Sequence, residues 1–134
     1  MSLTRGANDV FGITLLVLMT ALIILLGTMR PLPACPDGFP ASNVRVVVGD
    51  SMLPTISNPA LIGVNSDIPR DMLGLGTIIN VRYGDFIYGH RIIGWVWDSK
   101  GRLFYVTKGD NNPAPDPIYA PPEAILDASV CVWG

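Results

Sequence analysis

A run of 20 residues without a charge, VFGITLLVLMTALIILLGTM at positions 10–29, constrains this chain more than any other feature. At about 1.5 Å per residue a helix of that length spans roughly 30 Å, the thickness of a bilayer's hydrocarbon core. Asp9 precedes the run, and Arg30-Pro31 closes it with a charge and a helix breaker. Two other readings compete for the segment. A cleaved secretory signal carries an apolar stretch of only about 7–15 residues. Leu32-Pro33-Ala34-Cys35 faintly resembles a lipoprotein site, but Pro33 is awkward there and Cys35 lies beyond the apolar run. The expectation is a short tail over 1–9, one uncleaved transmembrane helix over 10–29, a Pro-rich linker over 30–42, and a domain over 43–134 tethered to a lipid bilayer.

Composition agrees. Hydrophobic residues make up 49% and charged ones 15%, against roughly 25% charged in an average soluble domain. A chain this apolar offsets its ordering entropy, which excludes disorder, and 134 residues suffice for one ordinary domain. The net charge of −2 and a pI near 5.1 offer no cationic surface for counterion release, so no nucleic-acid partner is expected. Arg5 on one side of the apolar run, with Arg30 and Arg45 on the other, does not decide orientation by the positive-inside rule. Cys35 and Cys131 stand at opposite ends of the soluble part, where a disulfide and two buried thiols are both open.

After the linker the pattern is one of short strands. Segments 44–48, 61–64 and 77–81 are β-branched or apolar runs, the latter two bounded by Gly, Pro or Asn. Segments 92–97 and 103–107 flank Asp98-Ser99-Lys100-Gly101, which reads as a β-hairpin. A last strand is expected over 127–133. Beyond residue 30 there is no sustained helical period, though 71–75 or 121–126 has room for a helical turn. The expected fold is mainly β, a small coiled sheet or partly open barrel.

Three segments have the residue types of a hydrolytic site. Gly49-Asp50-Ser51-Met52-Leu53-Pro54-Thr55-Ile56 places a serine on a Gly-opened, Pro-stiffened loop. A nucleophile needs such a rigid, exposed position with neighbouring N–H groups free for an oxyanion, although the same residues also make an ordinary turn. Tyr88-Gly89-His90-Arg91-Ile92-Ile93 holds the only histidine, at the expected start of a strand. A neutral imidazole can take a serine proton, while a lone histidine is often merely structural. The two lysines, Lys100 and Lys108, are far from it in sequence, and a Ser–Lys dyad would need a desolvated lysine. Thr107-Lys108-Gly109-Asp110-Asn111-Asn112 and Pro115-Asp116-Pro117 supply two carboxylates, either of which could fix the imidazole tautomer. Asp116 is held between two prolines, whereas Asp110 sits where it can cap its own turn.

Taken together, GDSMLPTI, GHRII and TKGDNN with PAPD resemble the boxes of signal peptidase I in its archaeal and endoplasmic-reticulum form, which carries histidine where the bacterial branch has lysine. The resemblance covers nearly the whole chain. It implies a signal-peptidase-type fold with Ser51 as nucleophile, His90 as general base, Asp116 as the carboxylate orienting it and Asp110 as a supporting acid. Ser51, Met52 and Pro54 would line the oxyanion and substrate side. The implied reaction is removal of signal peptides from secretory preproteins after small residues, through an acyl-enzyme and with no cofactor or metal. The implied place is the cell membrane or the endoplasmic-reticulum membrane, with the domain on the outer or lumenal side and further membrane subunits as conceivable partners. Three departures stand out. Gly49 replaces the serine usual in Ser-Gly-Ser-Met, Pro59-Ala60 and Gly76-Thr77 replace Gly-Asp pairs, and no large inserted subdomain or second membrane helix is expected.

Two alternatives stay open. One is a related serine protease, such as a pilin-processing peptidase or a self-cleaving repressor, against which His90 and the apolar run 10–29 both argue. The other is a catalytically silent subunit or tethered binding module with the same fold. The apolar residues near the serine, Met52 and Leu53, with Phe39, are expected to touch lipid, and for Trp133 lipid contact and a core or cross-strand place are both open. Trp95 and Trp97 are expected in the core or in cross-strand pairs.

Overall fold

The computed structural model describes residues 3–28 and 40–133, with the side chains of the helical segment described over 12–24. The chain divides into two compact units, Met1–Pro33 and Ala34–Gly134. The first holds a single helix, α1 (Leu3–Thr28), whose described side chains are all exposed. Thr20, one of two threonines within that stretch, donates from Oγ1 to the Leu16 carbonyl at 2.8 Å and so hides its polarity inside the helix. Among the described residues no helix is long and apolar enough to cross a membrane. The span expected over 10–29 runs past the described side chains at both ends.

The second unit is mainly β. Its strands are β1 (Asn43–Val47), β2 (Ala60–Asn65), β3 (Ile78–Tyr83), β4 (Phe86–Trp97), β5 (Leu103–Lys108) and β6 (Ile125–Trp133), with a 3₁₀ turn at Pro122–Ala124. They form one antiparallel six-stranded sheet in the order β1-β2-β6-β3-β4-β5, with β1 and β5 at its edges. The sheet does not close into a barrel. Its register slips at Gly63/Val64, at Asn80/Val81 and between Ile92 and Gly94, and such bulges increase local twist.

Alternation along the strands explains the cores. Ile79 and Val81 of β3 pack with Ile92, Tyr105, Ile125 and Ala128. Met52 and Ile56, from the loop after β1, pack with Ala60, Ile62 and Val64. The residue between Ile79 and Val81 is polar, Asn80, and it faces Asp127 of β6 across the ladder. At Gly63 the ladder comes too close for a side chain, since a Cβ would lie 2.6 Å from Cys131 Sγ. Cys131 is disulfide-bonded, and Cys35, the chain's other cysteine, lies outside the described residues.

Several sequence expectations need correction. The strand expected from residue 92 begins at Phe86, so His90 lies inside β4 and opposite Ile79, not at a strand start. The missed element is a tight β3–β4 hairpin turning at Gly84-Asp85, with positive φ at Gly84 and not at Asp85, as type II′ turns have. Segment 86–91 carries Gly, His and Arg rather than an apolar alternation, so pattern alone does not mark it as strand. Segment 71–75 makes turns without a helix. The hairpin around residues 98–101 is as expected: Asp98 Oδ1 accepts from the N–H groups of Lys100 and Arg102, and Gly101 takes φ +73°. Met52 is 2% exposed and belongs to a core, so its side chain cannot contact lipid. Of the two placements open to Trp95 and Trp97, the cross-strand one holds: both are exposed and lie opposite Tyr105 and Leu103 across the β4–β5 ladder. Phe39 lies outside the described residues.

Candidate active site

The structure brings Ser51, His90 and Asp116 into one line. Ser51 Oγ lies 3.1 Å from His90 Nε2, and His90 Nδ1 lies 2.6 Å from Asp116 Oδ2. Each residue is placed by a different device. The rigid interior of β4 holds His90, whose ring also meets that of Tyr88 at 5.2 Å between centroids. Asp116 lies on the segment returning along β5, where its N–H donates to the Thr107 carbonyl at 2.8 Å. The Thr107 hydroxyl, fully buried, donates to the same Asp116 oxygen that faces the imidazole, at 2.6 Å. With two polar neighbours on one oxygen, the carboxylate has little freedom to turn away.

Ser51 is held from two sides. Behind it, Met52 and Ile56 are buried, and the Ile56 N–H donates to the Met52 carbonyl at 2.9 Å. Above it, the turn 109–112 grips the loop. Asn111 N–H donates to the Ser51 carbonyl at 2.8 Å, and its side-chain amide donates to the Asp50 carbonyl at 3.1 Å. Asn58 Nδ2 donates to Asp50 Oδ1 at 2.8 Å, closing the loop base. Gly49 opens the loop at φ +126°, a conformation that L side chains rarely adopt. Neither the Ser51 N–H nor the Met52 N–H donates to any atom among the described residues, so both are available to an oxyanion. Pro54 has no N–H to offer, and it does not line the cavity beside Ser51.

Asp110 does a different job from the one turn chemistry suggests. It makes a two-pronged pair with Arg91, Nε to Oδ1 at 2.8 Å and Nη2 to Oδ2 at 2.6 Å, and accepts from Thr55 Oγ1 at 2.5 Å. It thereby ties β4 and the turn 109–112 to the Ser51 loop without bonding His90. The Arg91 guanidinium holds the Asp110 carboxyl down at about 2 from an ordinary 3.8, with the Thr55 hydroxyl adding to the effect. A carboxyl lowered on folding stabilises above its unfolded pKa and loses that contribution as pH falls through the folded value. Wild type should thus lose thermal stability as pH drops from about 4 towards 2. Asp110→Asn should start lower in melting temperature at neutral pH and show a flatter acid limb in thermal melts across that window. An acid limb as steep as wild type would show that other carboxylates dominate it.

Lys108 Nζ donates to the Gly109 carbonyl at 3.2 Å, and among the described residues no hydrogen bond joins it to Ser51. A cavity of about 520 Å³ opens beside Ser51, walled by Val44, Val47, Val48 and Met52 on one side and by Asn80, Tyr88 and Gly89 on the other. Two sheet strands, β2 and β6, separate β1 from β3, so a shared cavity requires the sheet to coil. Sequence reasoning singled out Ser51, His90, Asp116 and Asp110 but not Thr107, Asn111, Thr55 or Arg45. The TKGDNN run contained the signal for the first two. Thr55 and Arg45 had none, because their partners lie 55 and 82 residues away.

Comparison with known proteins finds no matching family model, no matching curated sequence and no matching solved structure.

Proposed function

We propose that this chain is a serine endopeptidase of the signal peptidase I kind, cutting secretory preproteins at a membrane. The observation that carries this reading is the Ser51–His90–Asp116 line, with hydrogen-bond spacing at both joints. Ser51 Oγ attacks the scissile carbonyl and His90 Nε2 takes its proton. Asp116 holds the Nδ1–H tautomer and balances the imidazolium, and the Ser51 and Met52 N–H groups receive the oxyanion. His90 then gives its proton to the leaving amine, and water releases the acyl-enzyme.

Two further features support the choice of substrate. Strand β1 is a sheet edge leading directly into the Ser51 loop, so an extended chain can pair with it. The cavity beside Ser51 then receives side chains of the residues before the cut. The apolar run 10–29, which α1 carries as far as Thr28 without a polar face over its described side chains, suits a bilayer tether. Sharing the membrane with a precursor raises effective concentration, and a domain on the outer or lumenal side would meet precursors as they emerge.

The test is cleavage of a preprotein by the full chain in detergent. Wild type should release the mature protein, while Ser51→Ala and His90→Ala, both folded by thermal melt, should lose activity by more than about a thousandfold. Cleavage by Ser51→Ala at the wild-type rate would overturn the mechanism. A folded wild type that cuts no preprotein would leave the chain a silent relative of the fold.

A further inference from the structure

We infer that Arg45 turns the cavity beside Ser51 into a subsite for a small, oxygen-bearing side chain of the cleaved chain, serine or asparagine in preference to alanine or valine. The inference rests on the peptidase reading and adds a specificity to it. Arg45, on β1, lines the cavity together with Val44, Val46, Val47 and Val48 of the same stretch of chain. Its Nε donates to Asp127 Oδ2 at 2.9 Å, and its Nη2 bonds the same oxygen. The other Asp127 oxygen accepts from Asn80 Nδ2 at 2.7 Å. The Asp127 side chain is 1% exposed, whereas that of Arg45 keeps 32%. The carboxylate is therefore engaged and hidden, and a ligand in the cavity meets the guanidinium and Asn80.

Burying a carboxylate is costly, and apolar side chains of similar volume often serve stability as well or better. A purely structural ion pair accounts for Asp127 but not for a part-exposed cation lining the cavity of the nucleophile. Of the five N–H groups on a guanidinium, the Asp127 contacts engage Nε and Nη2, and Nη1 donates to nothing among the described residues. Gly89 keeps the opposite wall bare, because a Cβ there would stand 2.6 Å from Asn80 Oδ1. The Arg45–Asp127 pair is already neutral, so a substrate carboxylate would bring an uncompensated negative charge close to Asp127. A hydroxyl or amide oxygen accepts a hydrogen bond from Arg45 without that penalty.

The experiment uses the full chain in detergent and preproteins differing only in the three residues before the cut, each position set in turn to Ala, Ser, Asn, Asp or Val. Wild type should favour Ser or Asn over Ala at one position by about tenfold in kcat/KM, the size of one hydrogen bond to a charged group. The double variant Arg45→Met with Asp127→Asn, which leaves no buried charge unpaired, should bring that ratio to about one whatever its absolute rates. Arg45→Lys, which keeps the charge but withdraws the planar fork, should reduce the preference and decides the matter if the double variant does not fold. A purely structural role would lower stability and leave the ratio untouched. An unchanged ratio, or a wild-type preference for Ala, Val or Asp at every position, overturns the inference alone. Failure of wild type to cut any of the preproteins overturns it together with the peptidase reading.

Discussion

Asp116→Asn should leave the protein folded and cut preprotein turnover by about 10⁴, the loss expected when a triad carboxylate becomes an amide. The wild-type contact is His90 Nδ1 to Asp116 Oδ2 at 2.6 Å, and the oxygen involved already accepts from Thr107 at 2.6 Å. An asparagine can satisfy Thr107 with its carbonyl oxygen only if its NH₂ turns elsewhere, and satisfy neither role of an anion. If the NH₂ faces the imidazole, it forces the proton onto Nε2, the nitrogen that receives the serine proton in the proposed mechanism. Folding should hold because the Asp116 N–H to Thr107 carbonyl bond belongs to the backbone and survives the change. Single-turnover cleavage beside a thermal melt separates the two effects. Asp110→Asn, by contrast, breaks a tie between Arg91 and Thr55 and does not touch the imidazole. A fully active Asp116→Asn beside a folded, inactive Asp110→Asn would reverse these roles, and two active variants would reduce the site to a Ser–His dyad.

Gly109→Ala should cost about a hundredfold in kcat/KM, although residue 109 is not one of the reacting groups. Its added Cβ would lie 2.6 Å from the Ser51 carbonyl oxygen and 2.8 Å from Asn112 Nδ2. The first of these is backbone and cannot swing aside, so either the turn 109–112 or the Ser51 loop must move. The Asn111 N–H bond to that same carbonyl then lengthens, and the Ser51 hydroxyl leaves the line of His90 Nε2. Overpacking of this sort costs about 1–3 kcal/mol of stability as well. Gly74→Ala is the control, since nothing lies within 4 Å of a Cβ there. Wild-type kinetics for a folded Gly109→Ala would show that the turn does not set the serine's position.

The sequence by itself determined the elements whose causes are local. A 20-residue uncharged run specifies an apolar helix wherever it is placed. Asp98 and Gly101 make the β4–β5 turn through bonds reaching only two to four residues along the chain. The strands from Ala60 and Ile78 came within one or two residues of their limits for the same reason, since β-branched apolar runs between Gly, Pro and Asn need little context. Ser51 on a stiffened loop was legible too, because a glycine, a serine and a proline in close sequence shape their own backbone.

Only the tertiary structure decided which of these residues meet. Ser51 and His90 are 39 residues apart, His90 and Asp116 are 26, and nothing local relates their directions. The choice between the two acids was made by β5: Asp116 returns along it to Thr107, while Asp110, at the turn, is captured by Arg91. The start of β4 at Phe86 was hidden because its polar and glycine residues become strand by pairing with β3, a contribution the pattern of one segment does not contain. Arg45 is the furthest case. On the sequence it is a charge interrupting an apolar strand, and it finds its reason only when the coiling of the sheet sets β1 against Asp127, 82 residues away. Local propensity acts over a few residues, whereas the partners of a buried charge are chosen by the packing of the whole sheet.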